Sequence, residues 1–367
     1  MTKLCLYFNH PAQYREEIYL KIDKEFDCDW YFEKSDTDIS KFDINILSRS
    51  YWFNISKIGG FYWTKGLLAL LKKGYDNYLM IGATRCLSLY VFLLIKKIFY
   101  PQKRVFLWTH GFYGKESWIE KNLFKRPLLK LADSILVYGD FSRDLMISGG
   151  FDPNKVVTIH NSLAYSKQLK LRNSLLYSDI YKKHFTNNFP VLIFIGRLTS
   201  VKKLDMIIDA LLILKNRNEF YNLVLVGDGS ERLFLESKVM DMGLRDMVWF
   251  YGACFDERQN AELIYNADLC VSPGNIGLTV IHSLMFGCPA ITHNDFKWQM
   301  PEFEAIQTGA TGDFFERGNV HDLADTISRW FLEYQSHRDS VRNACYEKVD
   351  SQWNPEFQLN VLKNILH

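Results

Sequence analysis

Short apolar runs alternate with longer amphipathic stretches along this chain. LCLYF (4–8), CDWYF (28–32), NYLMIG (77–82), RVFLWTH (104–110) and SILVYG (134–139) predict strands. Their short, nearly continuous apolar character suits a parallel sheet buried on both faces. Residues 13–24, 64–73, 86–99 and 117–131 carry helical spacing between them. VVTIHNS (156–162) predicts one more strand. Residues 164–189 are polar and weakly periodic, and 166–189 read as a linker. The alternation then restarts, with strands in PVLIFIG, NLVLVGDG, MVWFYGA, LCVSPG and PAITHN. Helices are expected over 202–216, 231–242, 257–266, 278–286 and 320–335. WNPEFQLNVLKNIL (353–366) predicts a final amphipathic helix. Strand-helix alternation of this kind implies an α/β fold of open, doubly wound sheets. The expected organisation is a Rossmann-like N-terminal domain over 1–165, the linker, and a Rossmann-like C-terminal domain over 190–350. A C-terminal helix in 351–367 packs back toward the N-terminal domain, and the two domains face a central cleft.

The length of 367 residues agrees with two domains, since single cores stop growing near about 250 residues. The net charge of +2 argues against a nucleic-acid partner. The charge is unevenly placed. Residues 1–165 hold 23 Lys+Arg against 17 Asp+Glu, or +6; the remainder holds 44 − 23 = 21 against 42 − 17 = 25, or −4. A basic first half suits an anionic partner or surface, and equally a chance imbalance of solvated side chains. The seven cysteines form no CxxC pair, which suits buried free thiols in a reducing cytoplasm. MTKLCLYFNHPAQY lacks the features of a signal peptide. The most apolar segment, Leu87–Ile95, is interrupted by Lys96 and Lys97 and falls short of the roughly 20 residues that span a bilayer. The expected location is the cytoplasm, with peripheral contact to the inner face of the plasma membrane.

Ligands of open α/β sheets bind beyond the carboxyl ends of the strands. In FIGRLTSVKK, Gly196 ends a strand, Arg197 follows, and Lys202 opens the next helix. A forked Arg and a point-charge Lys so placed clamp a diphosphate, although a surface Arg and Lys would read the same. In LVGDGSER, Gly227 and Gly229 stand at another strand end, as a ligand loop or simply a tight turn. Neither domain has GxGxxG after its first strand, which disfavours a nicotinamide dinucleotide. In SPGNIGLTVIHSLMFGCPAI (272–291), the turn Gly274–Gly277 feeds a helix. The N–H groups of Gly277, Leu278 and Thr279 would form an anion site there. His282 lies about one turn further on, as a ligand contact or a packed helical residue.

Taken together these segments resemble the family 4 glycosyltransferases of the GT-B fold, over nearly the whole chain. ADSILVYGDFSRDLMISGGFDPNKVVTIHNS (132–162) looks like the last strand-helix-strand unit of that family's N-terminal domain. GRLTSVK matches its Gly-Arg-Leu-x-x-x-Lys motif. LVGDGSERLFLE, VWFYGACFDERQNAELIYNADLCVSP and GLTVIHSLMFGCPAI follow its nucleotide-binding pattern in order and spacing. The resemblance implies a retaining, metal-independent transfer of a hexose-type sugar from a nucleotide sugar, a UDP-sugar favoured, to a glycan acceptor. No cofactor is implied beyond the nucleotide sugar as co-substrate. Bacterial surface-polysaccharide assembly, such as lipopolysaccharide O-antigen or capsule, on a lipid-linked acceptor is the implied setting.

The departures bear on the site. Where the family commonly has two Glu residues separated by seven, this chain has Gly274 and His282. His282 is expected to hydrogen-bond the ribose in place of the second Glu. Gly274 cannot replace the first, so Asn275 or the loop ITHNDFKWQMPE (291–302) is expected to meet the donor sugar. His110, in LWTHGFYG, matches a His that the family sets against that sugar. In HPAQYREE (10–17), Tyr14 and Arg15 are acceptor-side candidates. The resemblance casts Arg197, Lys202 and His110 as catalytic, and Gly196, Gly227, Gly229, Asn275, Gly277, Leu278, Thr279 and His282 as donor-binding. Two Asp-x-Asp triplets, Asp27/Asp29 and Asp36/Asp38, are explained by an acidic surface rather than a metal. GGFYWTKGLLALLKKGY (59–75) and GKESWIEKNLFKRPLLKL (114–131) mix basic and aromatic residues, as core-facing helices or as a surface for an anionic membrane. A nucleotide-sugar epimerase on the same fold, or a non-catalytic nucleotide-binding protein, are the alternatives.

Overall fold

The computed structural model describes residues 3–34 and 40–366. Two compact units divide the chain, one formed by residues 1–164 and 355–367, the other by 165–354. Each is a doubly wound α/β unit.

The first unit runs β1 (Leu4–Phe8), α1 (Glu16–Glu25), β2 (Cys28–Glu33), β3 (Ser50–Phe53), β4 (Ile55–Ile58), β5 (Phe61–Thr64), β6 (Asn77–Ile81), α2 (Leu87–Phe99), β7 (Arg104–Thr109), α3 (Arg126–Lys130), β8 (Ser134–Val137), α4 (Asp140–Ser148) and β9 (Val156–Thr158). Seven strands form a parallel sheet in the order β3-β2-β1-β6-β7-β8-β9. Alternate residues of β1 serve opposite faces, as the pleat requires. Cys5 and Tyr7 join a core with Leu89, Phe92 and Leu93 of α2. Leu4, Leu6 and Phe8 join a second core with Ile18, Tyr19 and Ile22 of α1. The C-terminal helix Pro355–Leu366 belongs to this second core, where it buries Leu359, Leu362 and Leu366. Lys363 pairs with Glu25 at 2.8 Å, and Gln358 donates to the His160 carbonyl at 2.9 Å.

Residues 50–64 depart from the expectation. Only helix was expected over 64–73, yet β3 adds an edge strand, β4 and β5 form an antiparallel hairpin, and Leu67–Lys72 is a 3-10 turn. These short strands are only partly buried, so they carry neither a continuous apolar run nor a clear alternation. Asp27 and Asp29 both bond Arg49, and Asp29 also accepts from Tyr75. Asp36 and Asp38 lie outside the described residues.

The second unit runs α5 (Tyr165–Arg172), α6 (Ile180–Phe185), β10 (Val191–Ile195), α7 (Asp205–Asn216), β11 (Asn222–Val226), α8 (Arg232–Asp241), β12 (Val248–Gly252), α9 (Glu257–Asn266), β13 (Leu269–Ser272), α10 (Leu278–Met285), β14 (Ala290–His293), β15 (Gly312–Phe315), α11 (Val320–Tyr334) and α12 (Arg338–Gln352). The stretch read as a linker therefore holds α5 and α6, and both cluster with the second unit. Their few buried side chains, Gln168, Tyr181 and Phe185, leave no apolar stripe to read. The parallel sheet has the order β12-β11-β10-β13-β14-β15. This is the Rossmann order, and it reverses between β10 and β13. All seven cysteines are free thiols, six of them buried. Among the described residues, no helix is long and apolar enough to cross a membrane.

Leu362 is fully buried in the C-terminal helix. Leu362→Ala is expected to cost the first unit about 2–5 kcal/mol. Urea denaturation should show that unit's transition at lower denaturant, with the second unit's transition unmoved.

Candidate functional site

The reversal between β10 and β13 is the place where sheets of this kind bind ligands, beyond the strands' carboxyl ends. Two loops line it: 196–204 after β10 and 273–277 after β13. They touch backbone to backbone. Gly274 N–H donates to the Lys202 carbonyl at 2.9 Å. A Cβ on Gly274 would stand 2.0 Å from the Val201 carbonyl oxygen, so no side chain fits there. The carboxylate expected at this position in the family is thus sterically excluded as well as missing.

Gly277 precedes α10 with φ 53° and ψ −150°, a conformation that favours glycine, and gives the helix no side-chain cap. The first-turn N–H groups at Gly277, Leu278 and Thr279 therefore form an anion-favouring helix start. Thr279 Oγ1 donates to the Ile195 carbonyl at 3.1 Å and pins this start to the end of β10. The turn itself is held by two residues of the segment 291–302, the segment expected to meet the donor sugar. Gln299 accepts from Ile276 N–H at 3.0 Å and donates to Thr292 Oγ1 at 2.7 Å. Thr292 donates to the carbonyls of Ser272 and Gly274. Both are buried polar residues that bond each other and the turn's backbone, which produces no periodic pattern.

Two cations flank the helix start. Lys202 Nζ donates to Asn275 O at 2.6 Å and Asn275 Oδ1 at 2.9 Å. Asn275 therefore orients Lys202, and that acceptor oxygen is committed to it. Burial pushes Lys202 down to about 8; Glu302 opposes this and the neighbouring Arg197 adds to it. Arg197 is exposed and has no ion pair among the described residues. Gly196, Gly227 and Gly229 let the neighbouring loop come close. A Cβ on Gly227 would stand 1.9 Å from Gly196 O, and one on Gly229 2.3 Å from Leu198 O.

His282 lies on α10 beyond the helix start. Its Nε2 is 2.9 Å from Glu257 Oε1, which also accepts from Gln168 Nε2 at 2.7 Å. Burial alone would raise the Glu257 carboxyl, but the bonds from His282 and Gln168 hold it below the ordinary value. A carboxylate thus stands beside position 282, supplied by α9. Its sequence signal was Asp256, which caps α9 through Arg258 N–H and Gln259 N–H and sets Glu257 in the first turn.

The first unit gathers the remaining candidates. His110 follows β7, with its ring 4.7 Å from that of Tyr138 and 5.6 Å from that of Tyr113. Burial, then Arg15 and Lys125, push it down to about 4, so it is neutral at pH 7. Arg15 is buried and donates to the Tyr138 hydroxyl, and the Tyr14 ring lies 5.6 Å from its guanidinium.

Residues 178–348 match the family model described as glycosyl transferases group 1. That span lies within the second unit, which is therefore similar to the group 1 glycosyl transferases. Alpha-D-kanosaminyltransferase of Streptomyces kanamyceticus is 24% identical over 227 residues, 60% of this chain and 57% of that protein. A GDP-mannose-dependent alpha-(1-6)-phosphatidylinositol dimannoside mannosyltransferase of Mycobacterium tuberculosis is 30% identical over 142 residues, 38% of this chain and 36% of that protein. The chain thus matches little more than half the length of the first curated relative and about a third of the second. Among solved structures, Anabaena HepE in complex with UDP has a TM-score of 0.70 at 17% identity, covering 100% of both chains. The lipopolysaccharide outer core galactosyltransferase WaaB has 0.72 at 14% identity, covering 100% of this chain and 99% of that one. These neighbours share the expected fold class, α/β with two Rossmann-like doubly wound domains.

Gly274→Ala is expected to cost about 1–3 kcal/mol, because two backbones must separate to admit the methyl. Gly274→Glu should lose stability at least as much and gain no sugar contact. Melting curves check both, and an undisturbed melt of Gly274→Glu would show that the loops part freely.

Proposed function

We propose that this chain is a retaining, metal-independent glycosyltransferase that moves a hexose-type sugar from a nucleotide sugar to a glycan acceptor. The observation that carries the reading is the pairing of Arg197 and Lys202 with the uncapped start of α10 at the second unit's strand reversal. Arg197 lies close enough to act on Lys202, and Lys202 is held on Asn275 two residues before the helix start, a set that suits a diphosphate.

The sugar's anomeric C–O bond breaks and its electron pair passes to the diphosphate oxygen. Charge grows on the diphosphate while the sugar becomes oxocarbenium-like. Arg197, Lys202 and the N–H groups of Gly277–Thr279 stabilise that charge in place, without reorganising. An oxygen of the leaving phosphate takes the acceptor hydroxyl's proton as the new bond forms on the same face. The ribose contact falls to His282 with Glu257 behind it. His110 of the first unit keeps the role that the resemblance gives it, a neutral contact to the transferred sugar.

UDP is the favoured base carrier, supported by the UDP complex of Anabaena HepE. WaaB, a lipopolysaccharide galactosyltransferase, and the mycobacterial enzyme, which acts on a phosphatidylinositol mannoside, support a lipid-linked acceptor in bacterial surface-polysaccharide synthesis. The first unit supports peripheral contact with an anionic membrane. Trp118, Ile119 and Leu123 are exposed along one segment, beside the exposed Lys115 and Lys130. On this reading the protein works in the cytoplasm, at the inner face of the plasma membrane.

Thermal-shift binding of UDP, GDP, ADP and TDP, with and without EDTA, tests the reading. One diphosphate is expected to raise the melting temperature unchanged by EDTA, and its nucleotide sugar to turn over with retention. Binding without turnover on any acceptor would favour a non-catalytic nucleotide-binding protein, and rearrangement without acceptor an epimerase. Arg197→Ala and Lys202→Ala should each weaken diphosphate binding about tenfold or more. Affinity should hold steady below pH 8 and fall above it, as Lys202 loses its proton. Lys202→Arg should remove that fall, since guanidinium stays charged. An affinity independent of pH up to 10 in the unaltered protein would contradict the assignment of Lys202.

A further inference from the structure

The first unit has a strand reversal of its own, between β1 and β6. One residue beyond the carboxyl ends of its strands is a buried cation. Arg15 closes the 3-10 turn Gln13–Arg15 after β1 and is 8% exposed. Its guanidinium donates to the Tyr138 hydroxyl, and its central carbon lies 5.2 Å from the Trp108 ring and 5.3 Å from the Tyr138 ring. Among the described residues it forms no ion pair with a carboxylate; phenols and ring faces surround it. Lys125, by contrast, is met by Glu116 at 2.7 Å.

A buried cation without an anion is costly, and rings return only part of that cost. The local field shows the same imbalance. His10 is pushed down by burial, then by Arg15 and Lys41; His110 is pushed down by burial, then by Arg15 and Lys125. Two more polar atoms of the cluster are unsatisfied. Trp108 Nε1 and His110 Nδ1 are buried, and neither has a hydrogen-bond partner among the described residues. Indole nitrogen is a donor only, so Trp108 requires an acceptor. His10, Tyr14 and His110 are only half-buried, and solvent reaches the cluster on their side.

We propose that Arg15, Trp108 and His110 form an oxyanion-binding site in the first unit, for a phosphate or carboxylate group. Arg15 offers its charge and the guanidinium N–H groups not engaged by the hydroxyls of Tyr138, Tyr19 and Tyr14, Trp108 Nε1–H a single donor, and His110 a neutral imidazole that also donates. The site stands on the first unit alone. If the chain is the transferase proposed above, the oxyanion is part of the acceptor, as a sugar phosphate, a lipid-linked phosphate or a uronate.

The test uses the full chain carrying Arg197→Ala and Lys202→Ala, which silences the phosphate seat of the second unit. Orthophosphate and glucuronate are titrated separately at constant ionic strength, with chloride as reference, and the melting temperature is read. A saturable rise with at least one of them is expected. Adding Arg15→Met or Trp108→Phe should weaken that response about tenfold or more. Trp108→Phe keeps an aromatic ring in the core and serves if Arg15→Met does not fold. A response to orthophosphate alone identifies a phosphorylated ligand, and one to glucuronate alone a uronate. No saturable rise with either ion, or a rise that both added substitutions leave unchanged, would overturn the proposal. Because the assay contains no nucleotide sugar, its failure is separate from any failure of the transferase reading.

Discussion

The loop after β13 rests on the loop after β10 with no side chain between them. Gly274 donates to the Lys202 carbonyl, and its Cα faces the Val201 carbonyl at a distance that excludes even a methyl. Much of the second unit's site follows from that contact. It brings Lys202 against Asn275, sets Arg197 beside it, and places the start of α10 within reach of both. The turn is then locked by Gln299 and Thr292, which bond its backbone from the loop that follows β14. Close backbone packing here replaces the acidic side chain that the family resemblance led one to expect. The site is therefore more strongly cationic than the family pattern implies, with Glu302 as the carboxylate acting on Lys202.

Position 282 shows a second way of meeting the same need. A histidine stands where the resemblance implies a Glu, yet Glu257 reaches it from α9 and holds its Nε2. The carboxylate arrives from a different helix, fixed by Gln168 and by the Asp256 cap. The His282–Glu257 pair places both an imidazole and a carboxylate at this point of the second unit.

The strands of both sheets were legible because burial on two faces makes short apolar runs, as in LCLYF and VLIFI. The C-terminal helix was legible from its stripe of Leu359, Leu362 and Leu366. The strands β3, β4, β5 and β15 were not, because they are only partly buried and so leave no continuous apolar run, unlike the equally short β13 and β14. In the site, glycines and cations at strand ends were readable by position alone. Glu257, Gln168, Thr292 and Gln299 were not, since each acts on a partner distant in sequence. The same holds in the first unit. Arg15 was a candidate by place, but its missing counter-charge, with Trp108 and Tyr138 packed on it, emerged only in three dimensions.

The account depends most on where a diphosphate lies in the second unit. A crystal structure of the protein with its preferred nucleoside diphosphate measures this directly. The terminal phosphate should accept from the N–H groups of Gly277–Thr279, with Arg197 and Lys202 on its oxygens and Glu257 or His282 at the ribose. A diphosphate bound away from the start of α10, or one touching neither Arg197 nor Lys202, would contradict the account.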